Sequence, residues 1–176
     1  MLKATQILQG HPGIRSSFTT YYLPATSISS TTTSAIAANT LYFLPHNLPG
    51  GLVDRIGIEV TSGSAGAARL GIYANENGAP GALILDCGTV DTTGIAIVEA
   101  TFTAIRLPEW VWAAVVSDAT PTLRVGAQTA SNIIGATTPS GTARGLTRAF
   151  SYAALPATGA ATGVSNVAPI VFFRKS

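Results

Sequence analysis

The chain has 176 residues and a mass of 17.9 kDa, enough for one domain with a core of its own. Charged residues make up only 10% of it, and ten basic against eight acidic side chains leave a net charge of +2 with no basic stripe, which excludes a nucleic-acid footprint. A single cysteine, Cys87, excludes an internal disulfide and any multi-cysteine zinc site, and no uninterrupted run of about 18 apolar residues offers a membrane-spanning helix.

Ala, Thr, Gly and Ser dominate what remains, and the mean hydropathy is +0.37. A weakly charged surface of this kind favours association, so the expectation is a protein that lives against copies of itself or against other proteins. Residues 1–20, opening MLKATQILQG, contain Pro12 and Gly13 and no sustained period. They lack an apolar stretch of secretory length and a small-residue cleavage site, so synthesis in a cytoplasm without a signal peptide is expected. This extended lead-in is read as an attachment segment with Leu2, Ile7, Leu8 and Ile14 as its candidate assembly contacts, ahead of a single domain over residues 21–176.

Along the domain, Tyr21-Tyr22-Leu23 is a possible first strand, and the Ser/Thr-rich run from Thr26 to Thr33 fits a loop or an edge strand. Ala35-Ile36-Ala37-Ala38 is the one helix-friendly stretch and is too short to hold a helix alone. Leu41-Tyr42-Phe43-Leu44 predicts a strand ending at Pro45, with Pro49-Gly50-Gly51 as the turn. From Val53 to Val60 a clean alternation points Ile56, Ile58 and Val60 inward and Arg55, Gly57 and Glu59 outward. Arg69 to Val90 reads as two strands: Leu70 and Ile72 face the core, Arg69 and Tyr73 look outward, and Asn75 to Gly78 with Pro80-Gly81 form the connecting loop.

Ile95 to Ile105 continues in β composition, with Val98, Ala100 and Phe102 on one face and Glu99, Thr101 and Thr103 on the other. Trp110-Val111-Trp112-Ala113-Ala114-Val115-Val116 is apolar on both faces, which predicts a central strand buried on both sides. Leu123 to Val125, Leu146 to Tyr152 and Ile170 to Phe173 add short strands, and residues 129–143 form a long polar loop. About eight to ten short strands with turn signals between them and almost no helix predict an all-β antiparallel sandwich, jelly-roll-like, with an up-and-down barrel as the rival.

Chemistry-bearing patterns are sparse. His11 and His46 are each expected in a Pro-flanked loop, with no HxH, HExxH or Cys partner, no Gly-x-Ser-x-Gly elbow occurs, and no glycine loop followed by Lys cradles a phosphate. The acidic residues Asp54, Glu59, Glu76, Asp86, Asp91, Glu99, Glu109 and Asp118 look like solvated strand faces and turns rather than a catalytic pair. Around Glu76 a calcium loop would need more oxygen ligands at a stricter spacing. The expectation is a protein that is not an enzyme and carries no cofactor or metal. Binding is the better prospect, because aromatics on exposed loops stack on sugars. Tyr73, Asn75, Asn77 and Trp110 are the candidate ligand-binding residues, with Tyr73 the most exposed of them, while Trp112 reads as core.

The series Arg69-Leu-Gly-Ile-Tyr73, Asn75-Glu-Asn-Gly78-Ala-Pro80-Gly81, Leu83-Ile-Leu85-Asp86, Gly88 and Val90, followed by Trp112-Ala-Ala-Val115-Val116, resembles a jelly-roll module of tailed-bacteriophage virion proteins. Tail fibres, head fibres and related minor structural proteins carry that module. The resemblance spans residues 41–125, and where the module commonly has a Gly-Tyr-Trp hairpin this chain has Glu109-Trp110-Val111-Trp112. It implies a virion component, a capsid decoration, head-fibre, spike or tail-fibre subunit, forming a homo-oligomer with a trimer favoured and touching other virion proteins. The alternative expectation is a carbohydrate-binding module that recognises a cell-surface glycan of the host.

Overall fold

The computed structural model describes residues 21–25, 30–48, 52–127 and 143–174. Its strands are β1 (Tyr21–Tyr22), β2 (Ser30–Ala35), β3 (Thr40–Asn47), β4 (Leu52–Ser62), β5 (Ala67–Glu76), β6 (Ala79–Asp91), β7 (Ala96–Arg106), β8 (Trp110–Ser117), β9 (Thr122–Ala127), β10 (Gly145–Ala149), β11 (Gly163–Ser165) and β12 (Val171–Arg174). No described element is a helix, and so no helix among the described residues is long and apolar enough to cross a membrane. The lead-in with Leu2, Ile7, Leu8 and Ile14, together with His11 and most of the polar loop at 129–143, lies outside the described residues.

The pairing is nested. β5 pairs with β6 across a tight turn, β4 with β7, β3 with β8 and β2 with β9, all antiparallel. Folding that long double ribbon over itself sends alternate pairs into opposite sheets. One sheet then runs β2-β9-β4-β7 and the other β3-β8-β5-β6, which is the strand order of a jelly roll. The expected antiparallel sandwich is therefore the fold, and the order that periodicity leaves open is settled by these four pairs together with the pairing of β4 with β9 and of β5 with β8.

Three later strands and one early strand extend this frame. β12 and β9 take consecutive stretches of the same edge of β4, β12 at Arg55 to Ile58 and β9 from Val60 onward, and β1 adds outside β12. In the second sheet β10 pairs with β3 and carries β11 beyond it.

Between the sheets lies the main core. Ile56, Ile58 and Val60 of β4, Leu70 and Ile72 of β5, Val111, Ala113 and Val115 of β8, and Phe173 of β12 all pack into it, as the period-two reading of those strands requires. β8 sits centrally between β3 and β5 and is buried on its other face as well. There Phe43, Tyr73, Trp112, Ala114 and Val116 form a second, smaller core, covered by Leu155 and by the half-buried Phe150, Tyr152 and Ala161. Residues 150–161 thus lie across the outer face of the second sheet as a strap.

Local hydrogen bonds hold the strap down. The Leu83 amide donates to the Ala157 carbonyl at 2.8 Å, the Gly159 amide to the Gly81 carbonyl at 2.8 Å, and the Leu155 amide to Asp86 Oδ2 at 3.0 Å. Asp86 also accepts from Arg69 Nε at 2.9 Å and from the Gly88 amide at 3.1 Å. Burial alone would raise this carboxyl, but the amides of Leu155 and Gly88 and the Arg69 guanidinium outweigh it and hold the carboxyl below its ordinary value.

Four local expectations are corrected. β3 does not end at Pro45 but continues to Asn47. Its β10 neighbour has already ended at Phe43, and the Pro45 carbonyl on that side accepts from the Ala25 amide at 2.8 Å, so the missing N–H faces no ladder partner. The connection between β5 and β6 is shorter than the expected loop: Asn77 at φ 51° and Gly78 at φ 82° make the two-residue turn alone, the left-handed pair that a hairpin of this twist requires. Tyr73 does look away from the main core, yet it is 0% exposed, because the strap covers it and its hydroxyl donates to the Pro156 carbonyl at 2.9 Å. His46 is not in a loop; it lies on the inner face of β3, fully buried, with its ring edge-on to Phe173 at 4.8 Å between centroids.

Candidate functional site

At one end of the second sheet the strap stops and the outer face is left open. The register lays Pro45, Trp112 and Tyr73 side by side across β3, β8 and β5, with Asn47 opposite Trp110 in the next row toward the strand ends. Trp110 and Trp112 are two residues apart on one strand and so share that face. Trp112 falls under the strap at 4% exposure, whereas Trp110, one row further out, is 39% exposed.

Between them is a shallow depression of about 220 Å³ lined by Pro45, Asn75, Gly78, Trp110, Val111 and Trp112. Three elements converge on it: the end of β3, the start of β8, and the tip of the β5–β6 hairpin. The tight Asn77-Gly78 turn brings the hairpin tip to the indoles, since a longer loop would carry Asn75 and Gly78 away.

The polar groups are few and mostly oriented. Asn75 Oδ1 accepts from the Trp112 indole Nε1 at 2.9 Å, which fixes the side-chain amide and leaves its two N–H donors for a ligand. Asn47 Nδ2 donates to Glu109 Oε1 at 3.3 Å on the exposed rim. Glu76 is occupied within the hairpin, where its Oε1 accepts from the Ala82 amide at 2.8 Å. An aromatic plate beside amide donors and a carboxylate is suited to a neutral, hydroxyl-bearing ring, which stacks on the indole and hydrogen-bonds at its edge.

Of the four sequence-predicted ligand residues, the structure brings Asn75 and Trp110 together. Asn77 stands at the apex of the turn, outside the lining, and Tyr73 belongs to the covered core. Pro45 in the lining was missed by sequence reasoning, as was the Asn47–Glu109 pair beside it; the signal that places Pro45 and Asn47 against Trp112 and Trp110 is the β3–β8 register, which no local pattern contains. Cys87 packs against the main core, and burial, with the Asp86 charge adding to it, pushes its thiol up to about 12, so it is no thiolate nucleophile at neutral pH. No group of three or more His, Cys, Asp and Glu side chains converges among the described residues.

Compared with known proteins, the chain matches no family model and, at a significant level, no curated protein.

Proposed function

We propose that this chain is a structural subunit of a bacteriophage or phage-like virion, a capsid decoration, head-fibre, spike or tail-fibre component that works as a homo-oligomer with a trimer favoured and has the virion as its location. The observation that carries this reading is the outer face of the first sheet. Tyr21, Leu23 and Ile97 stand exposed there around the Phe172 ring, on a chain with 10% charged residues. An apolar face of that kind on so weakly charged a protein marks a protein contact. The likeness of residues 41–125 to the virion jelly-roll module supports a virion as the particle. Light scattering of the purified chain over a range of concentrations is expected to give a fixed oligomer, and particles produced by the same genome are expected to contain the chain in stoichiometric amount by mass spectrometry. A monomer at every concentration, together with particles free of the chain, overturns the proposal.

A second reading has its own observation in the open indole of Trp110. As a carbohydrate-binding site, the depression would let such a subunit hold a host surface glycan. Trp110→Ala is then expected to weaken binding of a glycan identified by array at least fivefold, about 1 kcal/mol, while leaving the unfolding midpoint unchanged. Unaltered affinity in that variant removes the stacking account.

A further inference from the structure

Resting on the reading as a homo-oligomeric subunit, a more specific inference concerns which surfaces meet. On the outer face of the first sheet a groove of about 280 Å³ is lined by Tyr21, Leu23, Thr31, Glu59, Ile97, Arg124, Ile170 and Phe172. Ile97 is 53% exposed and Leu23 50% exposed. The charges beside the apolar floor are satisfied within the chain: Arg124 Nη2 pairs with Glu59 Oε1 at 2.7 Å, and Glu99 takes both Arg174 and Arg55. A groove with its charges already neutralised selects an apolar, weakly charged occupant rather than a charged one.

Residues 1–20 of the chain supply apolar side chains for such a groove in Leu2, Ile7, Leu8, Ile14 and Phe18, with Lys3 and Arg15 as their charged residues and no acidic residue. The strand register shows to whose groove they can go. Tyr21 pairs with Arg174 and Tyr22 with Phe173, so the chain enters β1 at the Arg174 end and runs toward Ile170. The groove lies in that forward direction, where Phe172 is opposite Gly57, Ile97 is opposite Glu59, and Arg124 is opposite Thr33. Tyr21 itself forms one rim of the groove, and the register points the residues before it past the Arg174 end, away from Ile170, so that they reach the floor of their own groove at Leu23 and Ile97 only by doubling back. Extended, they can span on the order of 70 Å, more than enough to cross to an adjacent sandwich. Among the described residues no strand pairs with the outer edge of β1 beside the groove, so an arriving segment finds backbone donors and acceptors as well as an apolar floor.

We infer that the groove on the outer face of the first sheet receives the lead-in segment, residues 1–20, of a neighbouring copy of this chain. The contact is head-to-tail, and a rotation that closes it gives a ring.

The test is sedimentation velocity on the full chain with two kinds of variant. Leu23→Asp and Ile97→Asp, made singly and together, spoil the groove at exposed positions. Ile7→Asp with Leu8→Asp spoils the lead-in. Either kind alone is expected to raise the dissociation constant at least tenfold, and circular dichroism is expected to match the unsubstituted chain. An equimolar mixture of the groove and lead-in variants is expected to recover association as a mixed dimer, because each supplies the surface the other lacks. An oligomer indifferent to all these substitutions overturns the groove assignment while leaving the structural-subunit reading standing. Loss of assembly without recovery in the mixture overturns the exchange between copies. A monomer from the unsubstituted chain at every concentration overturns both this inference and the homo-oligomer on which it rests.

Discussion

Acid should unfold this protein through one imidazole. His46 is 0% exposed on the inner face of β3, and neither ring nitrogen meets a partner in hydrogen-bond geometry. Burial lowers its pKa from 6.5 to about 3, with the Val171 backbone opposing only weakly. Because the folded pKa is depressed, the neutral ring is the form the fold accepts. Above pH 6.5 both folded and unfolded chains hold it neutral and there is no penalty; below it the unfolded chain takes up a proton that the folded chain refuses. Each pH unit between 6.5 and 3 then removes about 1.4 kcal/mol of stability. That amounts to roughly 2 kcal/mol at pH 5 and about 5 kcal/mol by pH 3, against a total of about 5–15 kcal/mol for a domain of this class. Urea unfolding followed by the fluorescence of Trp110 and Trp112, at pH 7, 6, 5 and 4, in the unsubstituted chain and in His46→Leu, isolates the term. Carboxylates contribute equally to both curves, so their difference belongs to the imidazole. The variant is expected within about 1 kcal/mol of the parent at pH 7, since Leu keeps the volume and removes two unpaired polar atoms. Below pH 6 it should gain on the parent steadily. Parallel stability curves down to pH 4 would falsify the reasoning, for they would mean that the ring titrates as it does in water.

Three further substitutions probe the packing on the outer faces of the two sheets. Gly57→Ala places a methyl 2.5 Å from Phe172 Cζ and 2.6 Å from the Val98 carbonyl oxygen; the backbone atom cannot rotate away, so a loss of about 1–3 kcal/mol is expected in urea, and a wild-type midpoint would show that the Phe172 ring does not lie over β4. Tyr73→Phe removes the hydroxyl that donates to Pro156 and should cost about 1 kcal/mol with cleavage by a broad-specificity protease shifting into residues 150–161; unchanged cleavage would mean that the hydroxyl does not anchor the strap. Asp86→Ala leaves the Leu155 and Gly88 amides and Arg69 without their acceptor, with an expected loss of roughly 2 kcal/mol at neutral pH. Its folded pKa is depressed, so the stability it provides is present above the ordinary carboxylate range and is lost as pH falls through it; a loss in Asp86→Ala that is as large at pH 2 as at pH 7 would contradict the charged role.

What could be read from local sequence was whatever a single strand decides by itself. The alternation from Val53 to Val60 assigns inner and outer faces without reference to any neighbour, and the doubly apolar run from Trp110 to Val116 announces a central position. The burial of Tyr73 could not be read that way: its alternation correctly turns it away from the main core, but what covers it is Leu155 and Pro156, more than eighty residues on. Pro45 ends a strand by every local rule and fails to do so here because β10 has already stopped. His46 inherits the inner face only once β3 is known to run past that proline. The depression at Trp110 divides in the same way, with the aromatic and the hairpin amide visible in their own segments and Pro45 supplied by pairing.

The nested ladder also sets the order in which this chain can acquire its shape. The β5–β6 hairpin closes over two residues, whereas the outermost pair, in which Ala35 meets Thr122, must close the whole intervening span. Loop-closure entropy grows with the logarithm of length, so the ladder zips most readily from the hairpin outward, β4 onto β7, then β3 onto β8, then β2 onto β9. A ribosome releasing the chain from its N-terminus emits β2, β3 and β4 long before their partners exist. The apolar faces of β3 and β4 stay uncovered until β7 and β8 emerge, while the Ser/Thr-rich β2 waits for β9 with little apolar surface to hide, and domains built on such distant pairings fold on a millisecond-to-second scale.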